Sequence, residues 1–300
     1  MTTMKAVINK MNDLGNELAS FPRDILIYRL SLLLVILHFS DSWVIFLPVS
    51  IASLFVFTLR SSAVNRWLWL CVLLGITVYN FHFWNQVDNH KYLINYWVGA
   101  CFLSTFYKDR LNVLKANANV LIILTFLFAL YWKIASPDFL NGTFMQLQLL
   151  TEPRLQYLTV FFTNIEYDLL KDKLRLMEFM VSDPNLYMKI TLNSDPVLMP
   201  LALLLTYSAL VLEFGILASF ILTKIRFFRM NRDYFLLVFL AATYLFVPVV
   251  AFGFTLAILG IAQIELYEIK KFKLYFLAFI FLQIMSRFSV IDLIRGDFSF

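Results

Sequence analysis

The chain has 300 residues, 61% of them hydrophobic and only 15% charged, with a mean hydropathy of +0.75, so too little polar chain remains to enclose a separate soluble domain. Its formal charge of +5 sits mainly in short Lys and Arg clusters between apolar runs, the pattern of orientation signals and not of a nucleic-acid surface, and nucleic acid is set aside as a partner. The 2 cysteines, Cys71 and Cys101, both fall in apolar segments and indicate neither a disulfide framework nor a Cys-based metal site.

Taken in chain order, residues 1 to 23 carry Lys5, Lys10 and Arg23 but no apolar core and no cleavage site, so the first apolar span is expected to act as an uncleaved anchor. Helices are predicted over 25–39, 43–59, 67–84, 92–107, 119–135, 197–223 and 274–288. A long apolar stretch at 234–267 contains Pro248. At 1.5 Å per residue it would be about 50 Å long, too much for one upright span and short for two, so a broken or re-entrant helix is expected there. The sum is an all-α polytopic transmembrane helix bundle of about eight or nine membrane-embedded segments, forming a single membrane domain over 1–300.

Residues 151–196 form the one long hydrophilic interlude. Within it Leu170, Leu174, Met177 and Val181 recur at helical spacing among Glu166, Asp168, Lys171, Asp172, Lys173, Arg175 and Glu178, which predicts an amphipathic helix lying on the membrane surface or against the bundle. Packing explains such a helix, although docking of a membrane or peptide partner is the other use of the same pattern. The clusters Arg60 and Arg66; Lys108, Arg110 and Lys115; Lys224, Arg226, Arg229 and Arg232; and Lys270, Lys271 and Lys273 fall on one side if 234–267 passes twice. That places the N-terminus in the cytoplasm of an integral, multi-pass membrane protein, with the interlude and Asn89-His90 on the opposite side.

Against this apolar background, Arg29, Asn89, His90, Lys133 and Glu213 are the candidate site, because ionisable groups within membrane segments usually face a bundle interior or a wet cavity. Lys133 ends the run from Val120 to Ala135, ahead of Ser136-Pro137-Asp138, where the proline stops the helix. Two readings stay open for it: an ammonium snorkelling to the headgroups, or a desolvated amine acting as general base. Asp88 or Asn89 would cap the helix that follows, while the imidazole of His90 would orient a substrate oxygen or carry a proton, unless it is a plain interfacial histidine. Arg29, in the first helix, and Glu213, near the middle of 197–223, are either paired within the bundle or turned to a substrate. His38 and His82 are isolated among apolar and aromatic neighbours and read as packed or interfacial.

Three segments carry a family resemblance: Leu26-Ile27-Tyr28-Arg29-Leu30, then Asp88-Asn89-His90-Lys91-Tyr92-Leu93, then Leu130 through Thr143, in which Lys133, Asp138, Phe139 and Gly142 fall in register. Over roughly residues 24 to 265 the chain resembles the vitamin K-dependent gamma-carboxylases and their bacterial relatives with the HTTM domain. Asn89-His90 matches the family's Asn-His pair, and Glu213 an acidic position in a later helix. The resemblance implies a reduced quinone, a naphthoquinol, as cofactor, oxidised with oxygen after a lysine removes its proton. By position Lys133 would be that base, with Asn89 and His90 holding the quinol oxygens or the oxyanion. The sequence also departs from the family. The positions before Gly253-Phe254, Thr243 and Tyr244 among them, lack the family's late-helix histidine, and no large extracytoplasmic domain follows the membrane part before Phe300. Carboxylation of a protein substrate is therefore not expected.

Two functions follow as expectations. One is quinol- or lipid-linked base chemistry in an intramembrane pocket open to the extracytoplasmic side. The other is a non-catalytic membrane accessory or maturation subunit, whose polar residues tie helices together. A transporter is a third option that no internal repeat supports. Asn141-Gly142-Thr143 also fits the N-glycosylation pattern.

Overall fold

The computed structural model describes residues 21–39, 43–58, 63–85, 87–152, 155–182, 195–246 and 250–285. Among these residues the chain is all-α. In order the helices are α1 (Arg23–His38), α2 (Trp43–Thr58), α3 (Arg66–His82), α4 (Asn89–Ser104), α5 (Arg110–Ala135), α6 (Pro137–Leu140), α7 (Thr143–Thr151), α8 (Gln156–Phe162), α9 (Tyr167–Ser182), α10 (Leu198–Ile221), α11 (Arg226–Phe246), α12 (Val250–Gln263) and α13 (Ile269–Met285).

The helices fall into two compact units. The first comprises residues up to Ile123 with Val249–Gln283, and the second Leu124–Pro248 with the chain from Ile284 onward. The division falls within α5, after Pro248 and near the end of α13. The apolar stretch at 234–267 is two helices, ending at Phe246 and starting at Val250. Pro248 itself lies outside the described residues, as do Lys5, Lys10 and Arg60.

Two helices, α5 and α10, are long and apolar enough to cross a membrane, and α2 and α12 contain shorter apolar runs. The helices α1, α3, α4 and α13 have 16 or 17 residues each. Length and composition therefore mark two spans clearly, fewer than the eight or nine membrane-embedded segments counted from the sequence. α5 begins at Arg110, nine residues before its predicted start at 119. Its polar first turns are held by carboxylates: Arg110 pairs with Asp24 at 3.1 Å and Lys115 with Glu265. A hydropathy window ends where the apolar run ends, whereas the helix continues as far as its side chains find partners.

In the first unit α1 packs on α2, α4 and α12. Its buried face is a ladder of hydroxyls and indoles. Ser104 donates to the carbonyl of Cys101 at 2.6 Å, so its single proton is spent and the Tyr28 hydroxyl is the donor in their 2.7 Å bond. Ser31 likewise donates to Ile27 and accepts from the Trp97 indole at 2.8 Å, and the Trp69 indole donates to Ala63 at 2.9 Å. Each buried indole and hydroxyl in this ladder therefore finds an acceptor, which offsets the cost of taking it out of water. At the start of α1 Arg23 donates to the carbonyls of Ile264 and Glu265 at 3.2 and 2.9 Å. The guanidinium thus satisfies carbonyls just past the C-terminus of α12, where the helix dipole favours a cation.

In the second unit Leu149, Leu150, Leu155, Leu158, Ile165 and Leu170 form a core with the first turns of α10. The amphipathic helix predicted in the interlude is α9, and its Leu170 is fully buried there. The side chains of Leu174, Met177 and Val181 lie outside the described residues. Helices α7 and α8 have no counterpart in the sequence reading, since nine and seven residues are too few to show a period.

Gly260 of α12 sits against Tyr275 of α13, where a Cβ would lie 2.2 Å from the ring. Tyr275 is fully buried, so the ring has no room to retreat. Gly260→Ala is expected to destabilise the first unit by about 1–3 kcal/mol through overpacking, read as a fall in the thermal midpoint of the purified protein. An unchanged midpoint would show that α12 and α13 do not pack this closely.

Candidate functional site

The segment that carries most of the resemblance folds onto one helix. α5 stops at Ala135 because Pro137 cannot continue it, and the Ser136 hydroxyl accepts from the Phe139 N–H at 3.3 Å to cap the short α6. Gly142 then reverses the chain with φ +82°, a conformation open to glycine, and starts α7. Every step of this turn touches α10. Gly142 abuts Leu203, the Tyr207 hydroxyl donates to the Leu140 carbonyl at 3.2 Å, and Glu213 binds the Lys133 ammonium.

Lys133 and Glu213 form the centre of this arrangement. The ammonium contacts Oε1 of Glu213 and lies 5.3 Å from the centroid of the Phe139 ring, a second attraction for the cation. Glu213 is 7% exposed and Lys133 25%, so the pair runs from a buried carboxylate towards a partly open amine. The Lys133 ammonium is held in an ion pair with Glu213, a partner that neither of its two sequence readings named. The second oxygen of Glu213, Oε2, is buried with no hydrogen-bond partner among the described residues. The same holds for Oγ1 of Thr206, two turns earlier on the same face of α10. An apolar groove of about 650 Å³ lies on the opposite, exposed face of α10, lined by Leu203, Leu204, Tyr207, Ser208, Val211 and Leu212.

The other candidates belong to the first unit. Asn89 is the first residue of α4 and is exposed. Asp88 holds the cap position, but its side chain makes no capping bond, which corrects the expectation of a side-chain cap. His90 stacks on Phe252, with centroids 4.7 Å apart and planes at 19°. Arg29 lies over the ring of Phe21 at 4.9 Å. His38, read as isolated, stands within electrostatic range of His90 and Lys91 and packs on Phe254 at 5.9 Å. The five candidates thus separate by unit: Lys133 and Glu213 meet in the second, while Arg29, Asn89 and His90 sit in the first.

Sequence reasoning missed Tyr207 and Lys91. Tyr207 reads as one more aromatic on an apolar helix, and no signal marked it. Lys91 directly follows His90, and that adjacency was a usable signal. Its ammonium donates to the Tyr79 hydroxyl at 3.1 Å and lies over the rings of Phe39 and Tyr79. Two further bonds join the same helices: Thr77 donates to Asn95 at 3.1 Å, and the Asn80 amide donates to the Lys91 carbonyl at 3.3 Å.

Gly142 is where backbone and packing requirements coincide, since a Cβ would meet Leu203 Cδ2 at 2.9 Å in addition to the positive φ. Gly142→Ala is expected to lower the thermal midpoint by an amount worth more than about 1 kcal/mol and to loosen the Lys133–Glu213 contact. Faster hydrogen exchange over 137–146, with the first unit unchanged, is the confirming measurement.

No family model, no curated protein and no solved structure matches this chain.

Proposed function

We propose that the chain is an integral, multi-pass membrane protein that performs proton chemistry on an apolar hydroxyl compound, a reduced quinone or a hydroxyl-bearing lipid, at the Lys133–Glu213 pair. One observation carries this reading: the buried carboxylate of Glu213 has one oxygen on Lys133 and the other, Oε2, without a donor among the described residues. A carboxylate that is fully used in structure has donors for both oxygens, so an unfilled acceptor among apolar helices suits a ligand O–H.

The ion pair also divides the chemistry. In the pair the carboxylate is the partner with acceptor capacity left, so this proposal gives the base's role to Glu213. A quinol hydroxyl donating to Oε2 transfers its proton to Glu213, which becomes neutral, and the quinolate left behind is stabilised by the adjacent ammonium. Charge is conserved within the site, and the low dielectric strengthens the attraction that stabilises the anion. His90 and Asn89, which the resemblance assigns to the quinol oxygens, belong to the first unit and are not part of this proposal.

A second reading, the non-catalytic accessory subunit, is favoured by the way the pair and the Gly142 turn fasten α5, α6 and α7 to α10. A paired substitution separates the two. Replacing a buried ion pair by apolar residues of similar size is often neutral or stabilising, whereas removing one partner leaves an uncompensated charge. Lys133→Met with Glu213→Leu is therefore expected to keep insertion and thermal midpoint. If the pair handles protons, that double variant, and Glu213→Gln alone, lose by about 100-fold or more the oxidation of a reduced naphthoquinone by added dissolved oxygen, which takes the two electrons and two protons to give hydrogen peroxide, measured in lipid nanodiscs. Quinol turnover equal to that of the parent protein in the double variant overturns the proposal, as does a parent protein that turns over no quinol at all.

A further inference from the structure

We propose that the first turns of α11, with the connection leading into them, form a docking surface for the anionic headgroups of a lipid bilayer. The inference rests on the membrane location proposed above and not on the quinol chemistry. From Phe214 to Arg232 the chain carries four cations, Lys224, Arg226, Arg229 and Arg232, and no acidic residue. They begin three residues after Ile221, the end of α10, which is long and apolar enough to cross a membrane. Basic side chains directly after a span stand at the level of the lipid headgroups, where each is attracted by a negative surface potential. The structure divides the four. Arg232 is 15% exposed, lies 4.0 Å from the buried Asp233 and sits over the Phe220 ring at 5.7 Å. Lys224, Arg226 and Arg229 are exposed, and their side chains pair with no carboxylate among the described residues.

The second, independent observation is the apolar stripe beside these cations. Phe227, Met230, Tyr234 and Val238 recur every three or four residues, so they share one face of α11, and they are 60%, 54%, 46% and 53% exposed. Arg226 and Arg229 fall outside that stripe, on the neighbouring surface of the same turns. Cations in the first turn of a helix meet the positive end of its dipole, and the first turn of α11 holds no acidic residue to offset them. Nothing within the helix therefore favours their position. An exposed apolar stripe with a basic margin is the pattern of a helix held at a membrane surface, the stripe among the acyl chains and the cations among the phosphates. A bilayer meets both requirements at once. An acidic protein surface would meet the charges and leave Phe227 and Met230 in water.

The test uses the full chain in lipid nanodiscs, with a fluorophore on Met230→Cys in a Cys71→Ser background and a trace of nitroxide-labelled phosphatidylglycerol or phosphatidylcholine as quencher. Met230 is exposed and Cys101 is buried, so the label reports from one place. At a salt concentration of about 0.05 M, quenching by phosphatidylglycerol is expected to exceed that by phosphatidylcholine about fivefold. The triple variant Lys224→Gln, Arg226→Gln, Arg229→Gln is expected to bring the ratio to about one, as is salt raised to about 1 M, where charges are screened within about 3 Å. The three side chains pair with no carboxylate among the described residues, so the triple variant is expected to keep its thermal midpoint, which separates lost lipid contact from misfolding. Equal quenching by the two lipids, or a preference that survives the triple substitution or the high salt, overturns the proposal alone. Quenching by neither lipid overturns it together with the membrane location. Loss of quinol turnover has no bearing on these outcomes, because Lys133 and Glu213 are intact in every variant used.

Discussion

A charge placed among apolar helices must find its counter-charge there, and the contact between Lys133 and Glu213 is where this chain meets that requirement. Glu213 lies well inside α10, too far from either end for its carboxylate to reach water along the helix. Lys133 ends α5, so the pair fixes where the end of α5 lies on α10. The turn through α6 and Gly142 follows from that anchor, because four residues of helix and one glycine with positive φ must return the chain to α10 almost three turns nearer its start, at Leu203. The pairing and the turn are thus one construction. Neither makes sense without the other.

The first unit meets the same constraint differently. Its buried polar groups are mostly uncharged, and they are satisfied in series: Trp97 to Ser31 to Ile27 along one strand of contacts, Tyr28 to Ser104 to Cys101 along the other. Each hydroxyl passes its single proton onward, so no net charge is desolvated. Its charged side chains are collected near the loop between α12 and α13, where Arg23, Lys115 and Lys271 bind the carbonyls and carboxylates of 264–268. These cations read in the sequence as loop charges that set orientation. They also hold three helices to one loop, which explains why α5 extends so far beyond its apolar run.

How much of this was legible depended on range. Pro137 ends α5 by local sterics, and that stop was read correctly from three residues. An interruption of the 234–267 stretch was likewise anticipated, from its length together with Pro248, and the described helices end at Phe246 and resume at Val250. Glu213 and Lys133 were each recognisable as costly, but 80 residues separate them and nothing in either neighbourhood names the other as partner. Snorkelling and ion pairing leave the same mark in sequence, a lysine at the end of an apolar run. The helices α7 and α8 were invisible because their lengths fall below two or three turns, and their burial under α9 and α10 is a tertiary fact. The division into two units was also hidden, since a cut within α5 falls in an unbroken helix with no change of composition.

The state of Glu213 decides between a rivet and a reactive group, and the argument can be made from its two oxygens. A carboxylate has about four acceptor positions, and a purely structural ion pair gains most when every one of them is met. Here the ammonium takes one side and leaves Oε2 enclosed, with Thr206 offering a second unfilled hydroxyl oxygen two turns away. Filling Oε2 with a backbone N–H is impossible at this depth, because α10 uses its own amides. An alanine or leucine at 213 would have avoided the cost entirely and left Lys133 to snorkel. The chain instead retains an acid whose second oxygen finds no donor among the described residues, beside a cation that stabilises whatever anion forms there. An arrangement of that kind is costly as a fastener and well suited to a group that must accept a proton from a hydroxyl and return it.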